Sequence, residues 1–103
     1  MAKIAATARA SNTLARALHA VGRHEEALTA YERIAVPRFF HLAYMAACHS
    51  RLGHDEEARR YIERTLEAKA DFSSSAWLTT QPFRREEDRR RRLEELCATG
   101  LPA

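Results

Sequence analysis

The chain has 103 residues and a formal net charge of +3, enough for one domain and too few for several independent cores. Glycine and proline number three each and β-branched residues are few, a composition that favours helix and argues against a sheet. The net charge is too small, and aromatics interleaved with basic residues too few, for a nucleic-acid surface, while no apolar stretch is long enough to cross a bilayer.

Residues 2 to 21 are rich in alanine and free of glycine and proline, which predicts a long first helix. Leu14, Leu18 and Val21 recur at helical spacing, with Ala8, Ser11 and Ala15 beside them as small residues that allow a second helix close approach. The first ten residues offer only Ile4 as a sizeable anchor and are expected to fray or to pack on a neighbouring molecule. Lys3, Arg9, Arg16 and Arg23 fall within residues 1 to 24, which contain no acid, so this is a basic element.

A second helix is predicted over His24 to Ala35, with Ala27, Tyr31 and Ile34 on one face. It ends before Val36-Pro37, because the residue before a proline is pushed out of helical geometry. Helix three is predicted over Arg38 to Leu52, presenting Leu42, Met45, Ala46 and His49 inward. Helix four follows over Asp55 to Ala68, with Ala58, Ile62, Thr65 and Leu66 inward and Arg59, Arg60, Glu63 and Arg64 toward solvent. Beyond residue 70 the pattern changes. Asp71 to Ser75 offers a helix cap, Ala76-Trp77-Leu78 a short helical turn, and Gln81-Pro82-Phe83 a break. A last helix is predicted over Arg84 to Ala98, with a thin stripe of Leu93, Leu96 and Cys97 that leans on Trp77 and Phe83.

One cassette occurs twice. Gly22-Arg23-His24-Glu25-Glu26-Ala27 is echoed by Gly53-His54-Asp55-Glu56-Glu57-Ala58. Each reads as the bend of a helical hairpin: glycine stops one helix in the left-handed conformation, acids favour the positive end of the next, and alanine lets the pair close up. With these residues the chain resembles tetratricopeptide repeats. The first unit supplies Leu14, Ala15, Leu18, Gly22, Ala27, Tyr31 and Ile34; the second supplies Met45, Ala46, Gly53, Ala58, Ile62 and Thr65. It departs from the family in a shorter spacing, in Ser11 where an aromatic is usual, in His49 at a large apolar position, and in the early Pro37. The expected architecture is all-α, one domain over residues 1–103, with hairpins over about 8–36 and 38–69 and a capping segment over 70–103. The tail, with Lys69-Ala70-Asp71-Phe72, Gln81-Pro82-Phe83-Arg84 and Arg92-Leu93-Glu94-Glu95-Leu96, is similar to the C-terminal ends of bacterial class III adenylate cyclases and of transcriptional regulators that carry such repeats.

The resemblance implies a protein-protein interaction or scaffolding module, whose concave face would comprise Arg9, Asn12, Arg16, His19, Phe40, Ala43, Ala47, Ser50 and Arg51. Its arginines suit an acidic or carboxylate-ended peptide, although a stripe such as Arg9, Arg16 and Arg23 also serves simply as a solvated face. The second functional class is a regulatory or ligand-sensing remnant of a cyclase-like or transcriptional regulator. Enzymatic chemistry is not expected. Glu25-Glu26 and Glu56-Glu57 diverge around their helices and lack a companion nucleophile, and no phosphate loop or nucleophile elbow occurs.

His41, Cys48, His49 and His54 suggest a metal site. They nevertheless lack the compact spacing of a stable one, so neither metal nor cofactor is expected. Cys48 reads as a small buried hydrophobe. Trp77, Phe72 and Phe83 are expected to close the end of the second hairpin, as a repeat stack requires. The first hairpin has no evident cap, and homodimerisation through it is expected. With no export signal and two free thiols, a cytoplasmic setting is the default.

Overall fold

The structure, a computed structural model, describes the backbone of residues 2–103 and the side chains of residues 11–103. Its helices are α1 (Ala2–Ala20), α2 (His24–Glu32), α3 (Phe39–Arg51), α4 (Asp55–Ala68), α5 (Ser74–Thr79) and α6 (Glu86–Thr99). No strand occurs among the described residues, and none of the helices is long and apolar enough to cross a membrane.

The duplicated bends form as their sequence requires. Gly22 and Gly53 take φ of 84° and 79°, so each chain end turns back on its helix. Arg23 N–H then reaches Leu18 O at 2.9 Å, and His54 N–H reaches His49 O at 2.8 Å. Gly100, φ 112°, ends α6 the same way, with Leu101 N–H on Leu96 O at 3.2 Å. These are Schellman caps, which satisfy the last carbonyls of a helix. A side chain at Gly53 would meet no atom within 4 Å, so only the backbone resists substitution. Gly53→Ala is therefore expected to lower stability by about 1 kcal/mol, read as a shift in the urea midpoint with an unchanged helical circular dichroism spectrum.

Two helix boundaries differ from the sequence expectation by more than one residue. The second helix ends at Glu32, three residues before Ala35, because Arg33 and Ile34 N–H groups bond to Ala30 and Tyr31 carbonyls at 3.3 and 3.0 Å. That tightened turn directs the chain toward Val36-Pro37. The last helix begins at Glu86 rather than Arg84: Arg85 is extended, and Glu86, Glu87 and Asp88 fill the first turn, where the helix dipole favours negative charge.

Packing follows chain order from α1 to α2, α3 and α4, after which α6 returns onto α3. Helix α3 is thus enclosed by α2, α4 and α6, and every residue from His41 to His49 is buried. Ala43, Ala46 and Ala47 are completely covered, and short side chains are what permit such close approach. By contrast α4 buries only Ala58 and Thr65 and exposes Arg59, Arg60, Glu63 and Arg64.

The C-terminal segment is part of the core itself. Phe72, Leu78, Leu96 and Leu101 join Ala15, Leu28, Tyr31, Tyr44, Met45 and Cys48 in one buried cluster. Ser73 caps α5 by accepting from Ala76 N–H at 3.2 Å. Trp77 on that helix stacks on Phe40 at 4.6 Å, meets Phe39 edge-on at 5.2 Å and donates from Nε1 to the Tyr44 hydroxyl at 2.9 Å. The segment expected to close the second hairpin packs on the first helix of that hairpin: Trp77 and α6 lie on α3, and α6 also reaches α1 through Glu95.

Candidate functional site

The end of α1, the start of α2, the C-terminal part of α3 and one face of α6 meet around Glu95. Its Oε1 accepts from His19 Nε2 at 2.6 Å and from Arg92 Nη1 at 2.9 Å, and its Oε2 lies 3.5 Å from Arg51 Nε. Burial opposes the charge on Glu95, but the His19 hydrogen bond and Arg92 outweigh it and hold the carboxyl down at about 2. An ionised carboxylate only accepts hydrogen bonds, so His19 must carry its proton on Nε2. Burial keeps His19 neutral against the pull of Glu95, and a neutral imidazole protonated on Nε2 has a free lone pair on Nδ1.

That nitrogen has no hydrogen-bond partner although it is buried. His24, just past the Gly22 bend, also has a buried and unpartnered Nδ1, and its ring centroid lies 5.6 Å from that of His19. Cys48 completes the group: one donor atom from each of His19, His24 and Cys48 lies within 4.8 Å of the others. Burial pushes the Cys48 thiol up to about 12, so without a compensating cation it stays protonated. Tyr31, packed edge-on at 6.4 Å from the His19 ring, has a buried hydroxyl without a partner and a pKa raised by burial.

The residues expected on a concave face are brought into one region but do not line one continuous groove. His19, Ala43 and Ala47 are buried. Phe40 is taken up by Trp77, Arg16 donates to Gln81 Oε1 at 3.3 Å, and Arg51 faces Glu95. Asn12 is half-buried with Oδ1 unpartnered, and the Arg9 side chain lies outside the described residues. The physical reason is that α5 and α6 cover this side of α3, with aromatic stacking at one end and the Glu95 ion pairs at the other. Among the clefts that remain open are two beside α6. One, of about 440 Å³, lies between Ser50 and Arg51 and the α6 residues Arg91, Glu94, Glu95, Ala98 and Thr99. The other, of about 250 Å³, runs from His19 and Ala20 to Phe83, Asp88, Arg91 and Arg92.

The histidines and cysteine singled out by sequence separate into different environments. His49 and His54 pair through their Nδ1 atoms at 3.1 Å, with the His49 ring stacked on Tyr61 at 5.3 Å. His41 serves the start of α3 by accepting from Arg38 N–H at 2.9 Å. Of the four, Cys48 alone joins the cluster, with two histidines that spacing had not suggested. One signal was available: a histidine pair five residues apart spans each glycine bend, His19 with His24 and His49 with His54. Glu95 had none, being one of many exposed-looking acids in a charged helix.

No family model, curated protein or solved structure matches the chain at a significant level.

Proposed function

We infer that the chain is a non-catalytic interaction module built on two tetratricopeptide-like hairpins, taking an acidic protein or peptide partner beside α6. The consecutive packing of α1 to α4 and the two matching glycine caps support the hairpin reading. The observation that carries the functional reading is the way this surface already holds a peptide segment of its own. His19 and Arg51 reach the Glu95 carboxylate of α6 from α1 and α3, and Arg16 holds Gln81, which is the chemistry of acidic-segment recognition. A partner would enter the cleft along Ser50, Arg51 and Arg91, where the arginines are exposed.

Affinity capture should return one set of protein partners with wild type and lose it with Arg51→Glu, Arg91→Glu or Arg16→Glu. The same capture from all of them, or no partner at all, would overturn the reading. Leu14 on α1 and Val21 in the turn that follows it, both exposed, would supply the apolar surface for the homodimer through the first hairpin. Sedimentation as a monomer at high concentration would contradict that part. The second reading, a ligand-sensing element of a cyclase-like or transcriptional regulator, is favoured by the enclosed His19, His24 and Cys48 cluster.

A further inference from the structure

We propose that His19, His24 and Cys48 form a binding site for a zinc-class divalent transition ion, with Glu95 as the residue that orients His19. The donor set is two imidazoles and a thiol, which is the borderline-soft combination such ions select. It comes from three separate helices, α1, α2 and α3, and its donor atoms already lie within 4.8 Å of one another. Four-coordinate zinc holds its ligand atoms about 3.3–3.6 Å apart, from bond lengths of about 2.0–2.3 Å, so closure asks for movement of about an ångström. His24, half-buried at the first turn of α2, is placed to make it.

Two further observations point to a cation. Native proteins rarely leave buried polar atoms without partners, yet His19 Nδ1 and His24 Nδ1 are both buried and unpartnered. The His19 side chain is 1% exposed. The Glu95–His19 hydrogen bond of 2.6 Å is also the arrangement in which a carboxylate fixes the tautomer and orientation of a metal-ligating histidine and raises its basicity. On binding, the Cys48 sulfur–proton bond is replaced by a sulfur–metal bond and one proton is released to solvent. The protein supplies three ligands and leaves a fourth position for water or another donor.

An ion there would tie α1, α2 and α3 together and, through His19 and Glu95, fix the seating of α6. This goes beyond the interaction reading and does not depend on it, since the ion reports on the site even where no partner is captured.

The test is titration of the reduced, metal-stripped full chain with Co²⁺ as a spectroscopic stand-in for Zn²⁺. One equivalent should produce thiolate-to-cobalt charge transfer together with the intense visible bands of four-coordinate cobalt, and Zn²⁺ should abolish both. The exposed Cys97 serves as the control, so Cys97→Ser should behave as wild type while Cys48→Ser loses the charge-transfer band. His24→Gln should weaken binding at least tenfold, and Glu95→Gln about 10–100-fold, the range for an orienting partner of a metal ligand. Circular dichroism establishes that each variant is folded. Should Cys48→Ser fail to fold, His24→Gln carries the decision, because its side chain lies at the margin of the core. Absence of charge transfer in wild type, or spectra and affinities left unchanged by Cys48→Ser and His24→Gln, would overturn the proposal.

Discussion

Leu96→Ala is expected to destabilise the protein by about 2–5 kcal/mol, the range for truncating a buried leucine whose site cannot collapse. Leu96 is completely buried and belongs to the cluster that joins both hairpins. Most of α6 is charged, and Leu93 on the same helix is only half-buried. A domain of this size has about 5–15 kcal/mol in all, so the loss is a large share of the whole. Urea unfolding followed by Trp77 fluorescence measures it, with Trp77 reporting directly because it is stacked on Phe40. Cys97→Ala, one residue along and exposed, should change stability by no more than about 0.5 kcal/mol. A cost below about 1 kcal/mol for Leu96→Ala would mean that α6 does not contribute to the core as described.

Stability should also fall on mild acidification, and His41 should account for a measurable part of the fall. Burial, with Arg38 and Arg16 adding repulsion, lowers His41 from 6.5 to about 4. The groups facing it are Arg38 at the start of α3, Arg16 on α1, and Tyr31 on α2, whose ring centroid is 6.4 Å away. Its Nδ1 accepts from Arg38 N–H at 2.9 Å, a bond that a protonated ring cannot make. Between pH 6.5 and about 4 the unfolded chain therefore binds a proton that the folded chain refuses. The stabilisation is full above pH 6.5 and is lost as pH falls through that window, amounting to about 2 kcal/mol at pH 5.

His41→Gln isolates the effect. Glutamine at the third helical position also reaches back to the capping N–H but does not titrate. The difference in unfolding free energy between pH 7.5 and pH 5 should thus shrink by about 2 kcal/mol in the variant. Equal pH dependence in the two proteins would show that His41 is not held neutral. His19, His24 and His49, also lowered chiefly by burial, act in the same direction in both proteins and cancel in this comparison.

The helices and their bends were legible in the chain because they are made by neighbours. Gly22, Gly53 and Gly100 stop helices through hydrogen bonds that span five residues, and the acids after each bend sit on the turn whose dipole they meet. Where the boundaries shifted, at Glu32 and Glu86, the difference came from equally local effects, a tightened last turn and an extended Arg85. The candidate site was less readable. Arg16, His19, Phe40 and Arg51 were all assigned to one side of the first and third helices, yet their present partners are Gln81, Glu95 and Trp77. His19 and Glu95 are 76 positions apart, and no periodicity relates them.

Local chemistry thus specified an all-helical chain with two glycine-capped bends and a late, highly charged helix, since backbone sterics, dipoles and apolar spacing act over a few residues. Which face of α3 the last helix would cover was settled by packing, where alanines, Leu96 and the Glu95 ion pairs select one arrangement among several with similar patterns. The approach of His19, His24 and Cys48 belongs to that same level. Three donors from three helices share a site only once α1, α2 and α3 have been brought together, and no spacing along the chain encodes a distance across it.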